Sequence, residues 1–304
     1  MMKKSLAGRT VAIVGGDRRE LVLMEELVRL GAEVAVAGFE QVSSLPAGLE
    51  HWELRRALAV ADAVILPMPG VNEEGVVKAE FAASPLVLQT EEFNLIKPGA
   101  PVLVGIASRY LRWQARQRGL KLVETAELDE IAIYNSIPTA EGAIEVAMRN
   151  TSFTLHGSQV LICGFGRVGM TLARMLKGIG ARVHVLGRKA ADLARGEEQG
   201  YHVYDYQTVF PVLDRVQVLF NTVPQVVLTE LYLQQLQPGT LLIELASAPG
   251  GIDVPAAERL GLQVIKAMGL PGKVAPLTAG RVLSQTYPKL LLEQWGLFGE
   301  EVAQ

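Results

Sequence analysis

The chain has 304 residues, a length that suggests two domains. Its 29 Lys and Arg residues are balanced by 32 Asp and Glu residues, and the net charge of -3 leaves no basic excess to bind nucleic acid or an anionic membrane surface. Apolar residues make up 49% of the chain, enough for a large core, and the single cysteine, Cys163, excludes an internal disulfide and any multi-cysteine metal site. Because no stretch reaches the roughly 18 consecutive apolar residues of a membrane helix, we expect a cytoplasmic protein with no membrane partner.

The first half of the chain alternates short apolar runs with helical patterns. Residues 10–14 form an apolar run that ends in Gly15-Gly16, and apolar positions at helical spacing follow from Leu21 to Leu30. Residues 34–38 form the next run, which completes a βαβ unit and predicts a parallel sheet. Further strands are predicted at residues 61–66, 85–88, 101–106 and 120–124, with a helix at residues 109–118.

The second half repeats this alternation after a predicted helix at residues 139–153. The strands predicted there are residues 160–163, 182–186, 216–221, 240–245 and 262–266, and the helices are residues 168–179, 189–199 and 229–236. A last helix at residues 275–295 is too long and too apolar for a tail, so it needs a surface to cover.

These elements predict an α/β protein with two doubly wound parallel-sheet, Rossmann-like domains and a cleft between them. The first domain, flavodoxin-like or Rossmann-like, is expected to span residues 1–150 and to bind the substrate. We expect the C-terminal helix, within residues 275–304, to return to it. The second domain, at residues 151–274, is expected to bind the dinucleotide.

A glycine-rich loop directly follows the strand at residues 160–163. It reads Gly164-Phe165-Gly166-Arg167-Val168-Gly169 and opens a helical pattern. The first glycine permits a tight turn, the second lets the backbone approach a pyrophosphate, and the third allows close packing of helix and strand. The free N–H groups of the helix N-terminus then face the phosphates. The alternative is a glycine-rich turn that serves packing alone.

The end of the next strand distinguishes NADP from NAD. Proteins that bind NAD usually place Asp or Glu there for the ribose 2′-hydroxyl, whereas this chain has Arg188-Lys189. Arg188 can bind a 2′-phosphate through two hydrogen bonds, and Lys189 adds charge, so the sequence predicts NADP. The alternative is that both are solvated residues at a helix start.

Two more strands end in loops that are expected to line the nicotinamide half of the site. The residues concerned are Thr222, Val223 and Pro224 in one loop, and Ala246 and Ser247 in the other. Ordinary turn chemistry would explain the same residues. None of the four histidines has a metal-ligand spacing, so no metal is predicted.

Several segments together resemble the A subunits of dipicolinate synthase from spore-forming bacteria. They are residues 15–19, 129–142, the Gly164 loop, residues 246–251 and residues 269–280. The resemblance implies oxidation of a dihydrodipicolinate, derived from the condensation product of aspartate semialdehyde and pyruvate, to dipicolinate, with NADP as hydride acceptor. It also implies a partner protein, the flavoprotein-like B subunit of the synthase, and a role in the mother cell of a sporulating bacterium. A homo-oligomer is also expected.

The shared segments supply the remaining candidate residues. A small dicarboxylate substrate requires cations, and Arg19 is favoured, with Arg18 and Asp17 beside it. Asp17 could instead hold Arg19 or cap the helix. Gly269, Leu270 and Pro271 are assigned to the cofactor.

Residues from the 129–142 segment are assigned to catalysis. Glu141 is the candidate base, and Asn135 and Thr139 are expected to orient the substrate ring or the nicotinamide amide. A competing interpretation is a helix start capped by Thr139, with Glu141 near its positive end. Two other functions stay open: a two-lobed dehydrogenase of the 2-hydroxy-acid or alanine type, and a non-catalytic NADP-binding regulatory subunit.

Overall fold

The computed structural model describes residues 6–297, which form two α/β units. Unit 1 contains the described residues up to Ala132 and again from Pro276, and unit 2 is Ile133–Ala275. No helix in the described part of the chain is long and apolar enough to span a bilayer.

Unit 1 is built on a five-stranded parallel sheet in the order β2-β1-β3-β6-β7. Its strands are β1 (Thr10–Val14), β2 (Glu33–Ala37), β3 (Ala63–Ile65), β4 (Val76–Val77), β5 (Leu86–Val87), β6 (Pro101–Val104) and β7 (Lys121–Glu124). The helices that begin in this part of the chain are α1 (Arg18–Arg29), α2 (Leu54–Val60), α3 (Thr90–Phe93), α4 (Arg109–Gln117) and α5 (Asp129–Arg149). Every residue of the central strands except Thr10 is buried, because helices cover both faces of a parallel sheet.

The apolar run at residues 85–88 is not a strand of the main sheet. Its central residues form β5, which pairs antiparallel with β4, Val77 opposite Leu86, outside the five-stranded sheet. Only two residues are extended there, and Gln89 already precedes α3. A short apolar run fits either environment, so the sequence could not distinguish them.

The helix predicted at residues 139–153 begins earlier, at Asp129, and runs through Pro138. Thr139 is therefore not a cap: its hydroxyl donates to the carbonyl oxygen of Asn135 at 2.7 Å. Pro138 has no N–H, so it cannot make the helical bond to the carbonyl four residues earlier, yet the helix continues because neighbouring packing holds it. Because proline is common at helix starts, Pro138 led to the wrong prediction that the helix begins at residue 139.

The boundary between the units lies not at residue 150 but between Ala132 and Ile133, at the end of the first turn of α5. Ile131, in the first turn, belongs to the core of unit 1, whereas Ala140, Ala143 and Ala147 belong to the core of unit 2. The break in the helical pattern at residues 150–157 marks the end of α5 and not a boundary between units. The first turn of α5 packs into the core of unit 1, and its later turns pack into the core of unit 2. Such contacts join residues far apart in the chain, so the local sequence pattern does not reveal them.

Unit 2 is built on a six-stranded parallel sheet in the order β10-β9-β8-β11-β12-β13. The strands are β8 (Gln159–Cys163), β9 (Arg182–Leu186), β10 (His202–Tyr204), β11 (Val218–Asn221), β12 (Leu241–Glu244) and β13 (Gln263–Lys266). The helices are α6 (Arg167–Ile179), α7 (Ala190–Glu198), α8 (Phe210–Leu213), α9 (Glu230–Leu233), α10 (Val254–Arg259) and α11 (Leu270–Val274). β10 is an edge strand of three residues that the sequence pattern did not predict. Chain order reverses between β8 and β11, which is where ligands bind in open sheets of this kind.

The last helix, α12 (Pro276–Gln294), belongs to unit 1 and packs against α1. Its buried side chains, among them Leu283 and Leu291, share a core with Leu23 and Leu27 of α1. The helix begins at a proline, and Ala275 before it is non-helical, as the residue before proline usually is. The hydrophobic face of α12 is therefore covered by its own unit.

Candidate functional site

The glycine-rich loop of unit 2 links the end of β8 to the start of α6 in a tight turn. Gly164 has a φ of +94°, a conformation that favours glycine, and its N–H donates to the carbonyl of Leu186 at 2.8 Å. A Cβ on Gly164 would collide with the hydroxyl of Thr222, and one on Gly169 would collide with the carbonyl of Gly164. The first and third glycines are thus required by close packing.

Gly166 differs from the other two glycines because the space over it is open. It is the N-cap residue of α6, and a Cβ placed on it would meet no atom within 4 Å. It has no side chain to cap the helix, so the first N–H groups of α6 are left for a ligand. An anion with several acceptor oxygens, such as a pyrophosphate, fits this opening.

The other residues of the loop do not all face a ligand. Phe165 is buried, and its ring packs edge-on against Tyr201 with the centroids 5.8 Å apart. Arg167 and Val168, in the first turn of α6, are half-buried. The side chain of Phe165 therefore belongs to the core, and only its backbone can take part in binding.

Arg188 and Lys189 follow β9 after a single residue, Gly187, and are both exposed. Within residues 6–297, neither side chain forms an ion pair or a hydrogen bond with another residue. The charge of Arg188 only partly offsets the rise that burial causes in the pKa of the Tyr206 hydroxyl. No acidic residue ends β9, whose last residue is Leu186. Both cations are therefore available to an anion at this edge of the sheet.

The loop after β11 is fixed to the loop after β8. Thr222 donates to the carbonyl of Cys163 twice, from its N–H and from its hydroxyl, each at 2.9 Å. Val223 is half-buried and Pro224 is exposed. These bonds hold the predicted nicotinamide loop against the dinucleotide loop.

A buried pair, Asn221 and Glu244, holds together the loops that follow β11 and β12. Asn221 donates to Glu244 at 2.7 Å and to the carbonyl of Val223 at 2.9 Å. Of the residues predicted in the second loop, Ala246 is buried and donates to Glu244, and Ser247 is exposed. No role was predicted for this pair from the sequence, although an acid and an amide that end apolar strands are a usable signal.

The three residues assigned to the cofactor at the start of α11 differ in exposure. Gly269 is exposed, with a φ of +66°, and Pro271 is half-buried. Leu270 is buried, and a Cβ on Gly142 of α5 would lie 3.1 Å from it. Leu270 is thus a core residue that anchors α11 on α5.

In unit 1, Arg19 and Asp17 form a buried ion pair at the carboxyl end of β1. Arg19 Nε donates to Asp17 Oδ1 at 2.8 Å, and Nη2 donates to Oδ2 at 2.7 Å. Asp17 also caps α1, because Oδ1 accepts from the N–H of Arg19. Arg18, next along the chain, is exposed. Asp17 therefore both holds Arg19 and begins the helix.

The pKa values of the two acids beside Arg19, Asp17 and Glu20, shift in opposite directions. Burial acts to raise the pKa of Asp17, but the hydrogen bonds and charge of Arg19, with Lys78 nearby, outweigh it and hold that pKa below its usual value. Glu20, whose Oε2 accepts from the N–H of Asp17 at 2.7 Å, has its pKa raised to about 7, mainly by burial. Arg19 thus lies between one ionised acid and one that titrates near neutrality.

The three catalytic candidates lie on α5, but not on one side of it. Asn135 and Thr139 are one turn apart, and Asn135 Oδ1 is buried without a hydrogen-bond partner. Glu141 is exposed and follows Thr139 by two residues, about 200° around the helix. The structure therefore brings Asn135 and Thr139 together and does not bring Glu141 to them. Among the described residues, no group of three or more His, Cys, Asp or Glu side chains could hold a metal ion.

A parallel sheet with a glycine-rich turn at its reversal point, an open helix N-terminus and polar loops at the carboxyl edge defines a dinucleotide-binding protein of the Rossmann type. Residues 135–251 match the family model of the NAD-binding domain of D-isomer specific 2-hydroxyacid dehydrogenases. The fold is shared with an L-alanine dehydrogenase, at 16% identity and a TM-score of 0.65 over 94% of this chain and 90% of that one.

Residues 10–126 match the family model of the N-terminal domain of dipicolinate synthase A subunits. The A subunit of dipicolinate synthase from Bacillus subtilis (strain 168) is 38% identical over 289 residues, which cover 95% of this chain and 97% of that protein. The crystal structure of the A subunit from Bacillus halodurans has a TM-score of 0.90 at 38% identity, covering 94% of this chain and 99% of that one. The chain therefore belongs to the family of dipicolinate synthase A subunits.

Proposed function

We propose that the protein oxidises a dihydrodipicolinate to dipicolinate and transfers the hydride to NADP. In the reaction, one ring carbon loses a hydride, a neighbouring position loses a proton, and the ring becomes aromatic. NADP, when bound, accepts this hydride. Family membership supports the reaction, and the Rossmann-type domain supports the use of a nicotinamide dinucleotide.

The observation that carries the choice of NADP is the exposed, unpaired Arg188 at the end of β9. A carboxylate at this position would repel a 2′-phosphate, whereas a guanidinium forms two parallel hydrogen bonds with it. Lys189 adds a second positive charge. The open N-terminus of α6, where Gly166 leaves space, supports the pyrophosphate position.

In unit 1, Arg19 keeps hydrogen-bonding capacity for a substrate carboxylate. Asp17 binds Nε and Nη2 of Arg19, which leaves Nη1 to donate to that carboxylate. In unit 2, Asn135 Oδ1 has no partner and would accept from the N–H of the nicotinamide amide. We assign the departing proton to water and not to Glu141, because Glu141 lies on another side of α5 and aromaticity favours the proton's loss.

We further propose that the protein acts with a flavoprotein-like B subunit, forms a homo-oligomer and works in the mother-cell cytoplasm of a sporulating bacterium. These proposals rest on the family, since the name of the Bacillus subtilis relative makes it the A subunit of a synthase. They are tested by co-purification with the B subunit of the same bacterium and by light scattering of the purified chain.

A second candidate is a 2-hydroxy-acid dehydrogenase, which the family model of unit 2 favours. Such enzymes rely on a histidine paired with a carboxylate. No histidine of residues 6–297 forms an ion pair with an acid, and His184, the buried one, contacts Gln159 instead. This arrangement favours the dipicolinate reaction over the 2-hydroxy-acid reaction.

The decisive experiment mixes the protein with freshly formed condensation product and NADP, and follows NADPH absorbance and dipicolinate, with and without the B subunit. Formation of both products in equal amounts supports the proposal. Tight NADP binding without turnover under either condition would favour a regulatory subunit. Oxidation of a 2-hydroxy acid instead would establish the second candidate.

Calorimetric titration of NADP and NAD tests the choice of dinucleotide. Arg188→Ala is expected to weaken NADP binding by about tenfold or more, because a charge-assisted bidentate contact is lost, and to leave NAD binding unchanged. Arg182→Ala is the matched control, since Arg182 is exposed at the opposite end of the same strand. Equal loss for both dinucleotides would remove the phosphate role of Arg188.

A further inference from the structure

Glu244 ends β12 as a carboxylate that is 4% exposed and accepts four hydrogen bonds. Oε1 accepts from Asn221 Nδ2 at 2.7 Å and from the N–H of Ala246 at 2.9 Å. Oε2 accepts from the N–H of Gly251 at 2.8 Å and of Ile252 at 3.1 Å. All four groups are donors, so both oxygens are held as acceptors, as in the ionised form.

This buried charge has no cationic partner in the part of the chain that the structure describes. No Lys, Arg or His between residues 6 and 297 forms an ion pair with Glu244. Amide dipoles and one side-chain amide solvate the carboxylate, but they do not cancel its net charge. A buried, uncompensated charge is costly, and such a charge at the ligand-binding edge of a sheet points to a cation in the ligand.

The loops around Glu244 pack too closely for the network to be incidental. Gly250 has a φ of +83°, and a Cβ on it would lie 2.9 Å from Glu244 Oε2. A Cβ on Gly251 would lie 2.6 Å from the carbonyl oxygen of Val223. Residues 246–251 thus wrap the carboxylate and join it to the loop after β11.

The field of Glu244 reaches the dinucleotide loop. β12 is two strands away from β8, with β11 between them. Burial raises the pKa of the Cys163 thiol to about 12; the Tyr206 hydroxyl acts against this rise and the Glu244 charge adds to it. Cys163 immediately precedes Gly164, so the negative potential extends across the edge assigned to the nicotinamide half.

We propose that Glu244 makes the site prefer the oxidised dinucleotide over the reduced one. The oxidised nicotinamide ring carries a positive charge and the reduced ring is neutral, so a fixed negative charge stabilises only the oxidised form. The proposal rests on the dinucleotide site of the proposed function: the preference favours loading of the site with NADP and release of NADPH, while it makes bound NADP a weaker hydride acceptor. A unit charge about 10 Å away changes binding by about 4- to 16-fold at effective dielectric constants of about 40 to 20.

The test measures the dissociation constants of NADP and NADPH by calorimetry, for the full chain and two variants. The unaltered protein is expected to bind NADP at least about fourfold more tightly than NADPH. Glu244→Gln removes the charge and is expected to lower that preference by about fourfold or more. Glu244→Asp keeps the charge while loosening the hydrogen bonds, so it should weaken both forms alike and retain the preference.

Three results would overturn the proposal. Equal or tighter binding of NADPH by the unaltered protein does so without any variant, and therefore decides the matter even if Glu244→Gln does not fold. An unchanged preference in Glu244→Gln gives Glu244 only a structural role. If the protein binds neither form of NADP and neither form of NAD, the proposed function is overturned together with this proposal. The first two results leave the proposed function intact.

Discussion

Arg19, the residue proposed to bind a substrate carboxylate, is held in place by Asp17. Its Nε and Nη2 are bound to Asp17, and burial, which alone would lower the pKa of Arg19, is outweighed by the hydrogen bond of Asp17 and by the charge of Glu20. The guanidinium is therefore firmly charged and oriented before a ligand arrives. A preorganised cation of this kind loses little conformational entropy when it binds a carboxylate.

Arg19→Lys is expected to raise the KM for the substrate by about tenfold or more, because an ammonium that stays bonded to Asp17 cannot also present a fork to the substrate. The dissociation constant of NADP should stay the same. Steady-state kinetics and calorimetry check the two expectations. Arg18→Lys, at the exposed neighbouring position, is the control and should change neither value.

At the scale of elements, glycines set how closely helices approach one another. A Cβ on Gly280 of α12 would lie 2.7 Å from the Cβ of Val22 and 2.8 Å from the carbonyl oxygen of Arg19, both on α1. On α6, Gly178 is exposed, and a Cβ there would meet nothing within 4 Å. The same residue type is thus required for packing in one helix and dispensable in another.

Gly280→Ala is expected to destabilise the protein by about 1–3 kcal/mol, because the added methyl group forces α1 and α12 apart. Gly178→Ala should instead stabilise it by about 0.5–1 kcal/mol, since alanine costs less conformational entropy in a helix. Urea unfolding of both variants measures the two effects. Equal shifts of the same sign would show that α1 and α12 are not in tight contact at Gly280.

For the whole molecule, stability should fall in weak acid because of His184. Nε2 lies 2.8 Å from Gln159 Oε1, and Nδ1 is buried without a partner. Burial, with a smaller effect of His202, lowers the pKa of His184 to about 4 from an ordinary value of 6.5. The unfolded chain thus binds a proton at His184 more readily than the folded chain does. The stability that neutral His184 contributes is therefore complete above pH 6.5 and is lost as the pH falls toward about 4.

Urea unfolding at pH 7 and at pH 5 is expected to show less pH dependence in His184→Phe than in the unaltered protein, by about 1–2 kcal/mol. Phenylalanine keeps a planar ring for the stack with His202, whose centroid lies 5.3 Å away. His51→Phe, at an exposed position, is the control and should leave the pH dependence unchanged. An unaltered slope in His184→Phe would mean that His184 is not the group that titrates.

Three features follow from the amino-acid sequence alone: the strand-turn-helix context of Gly164, the parallel α/β class and the absence of an acid after β9. These features are local: a positive φ, a continuous apolar run and a charge at a strand end depend on residues within a few positions of one another. Similar local reasoning identified the alternative role of Asp17 as a cap and as the partner of Arg19.

Other features are visible only in the folded protein: where α5 begins, which core each of its turns joins, that β5 lies outside the main sheet and that Glu244 binds two loops. Each depends on contacts between residues far apart in the chain, and local propensity yields to such contacts. Pro138 inside α5 is the clearest case, because its preference for a helix start is outweighed by burial of Ala140, Ala143 and Ala147 in the core of unit 2.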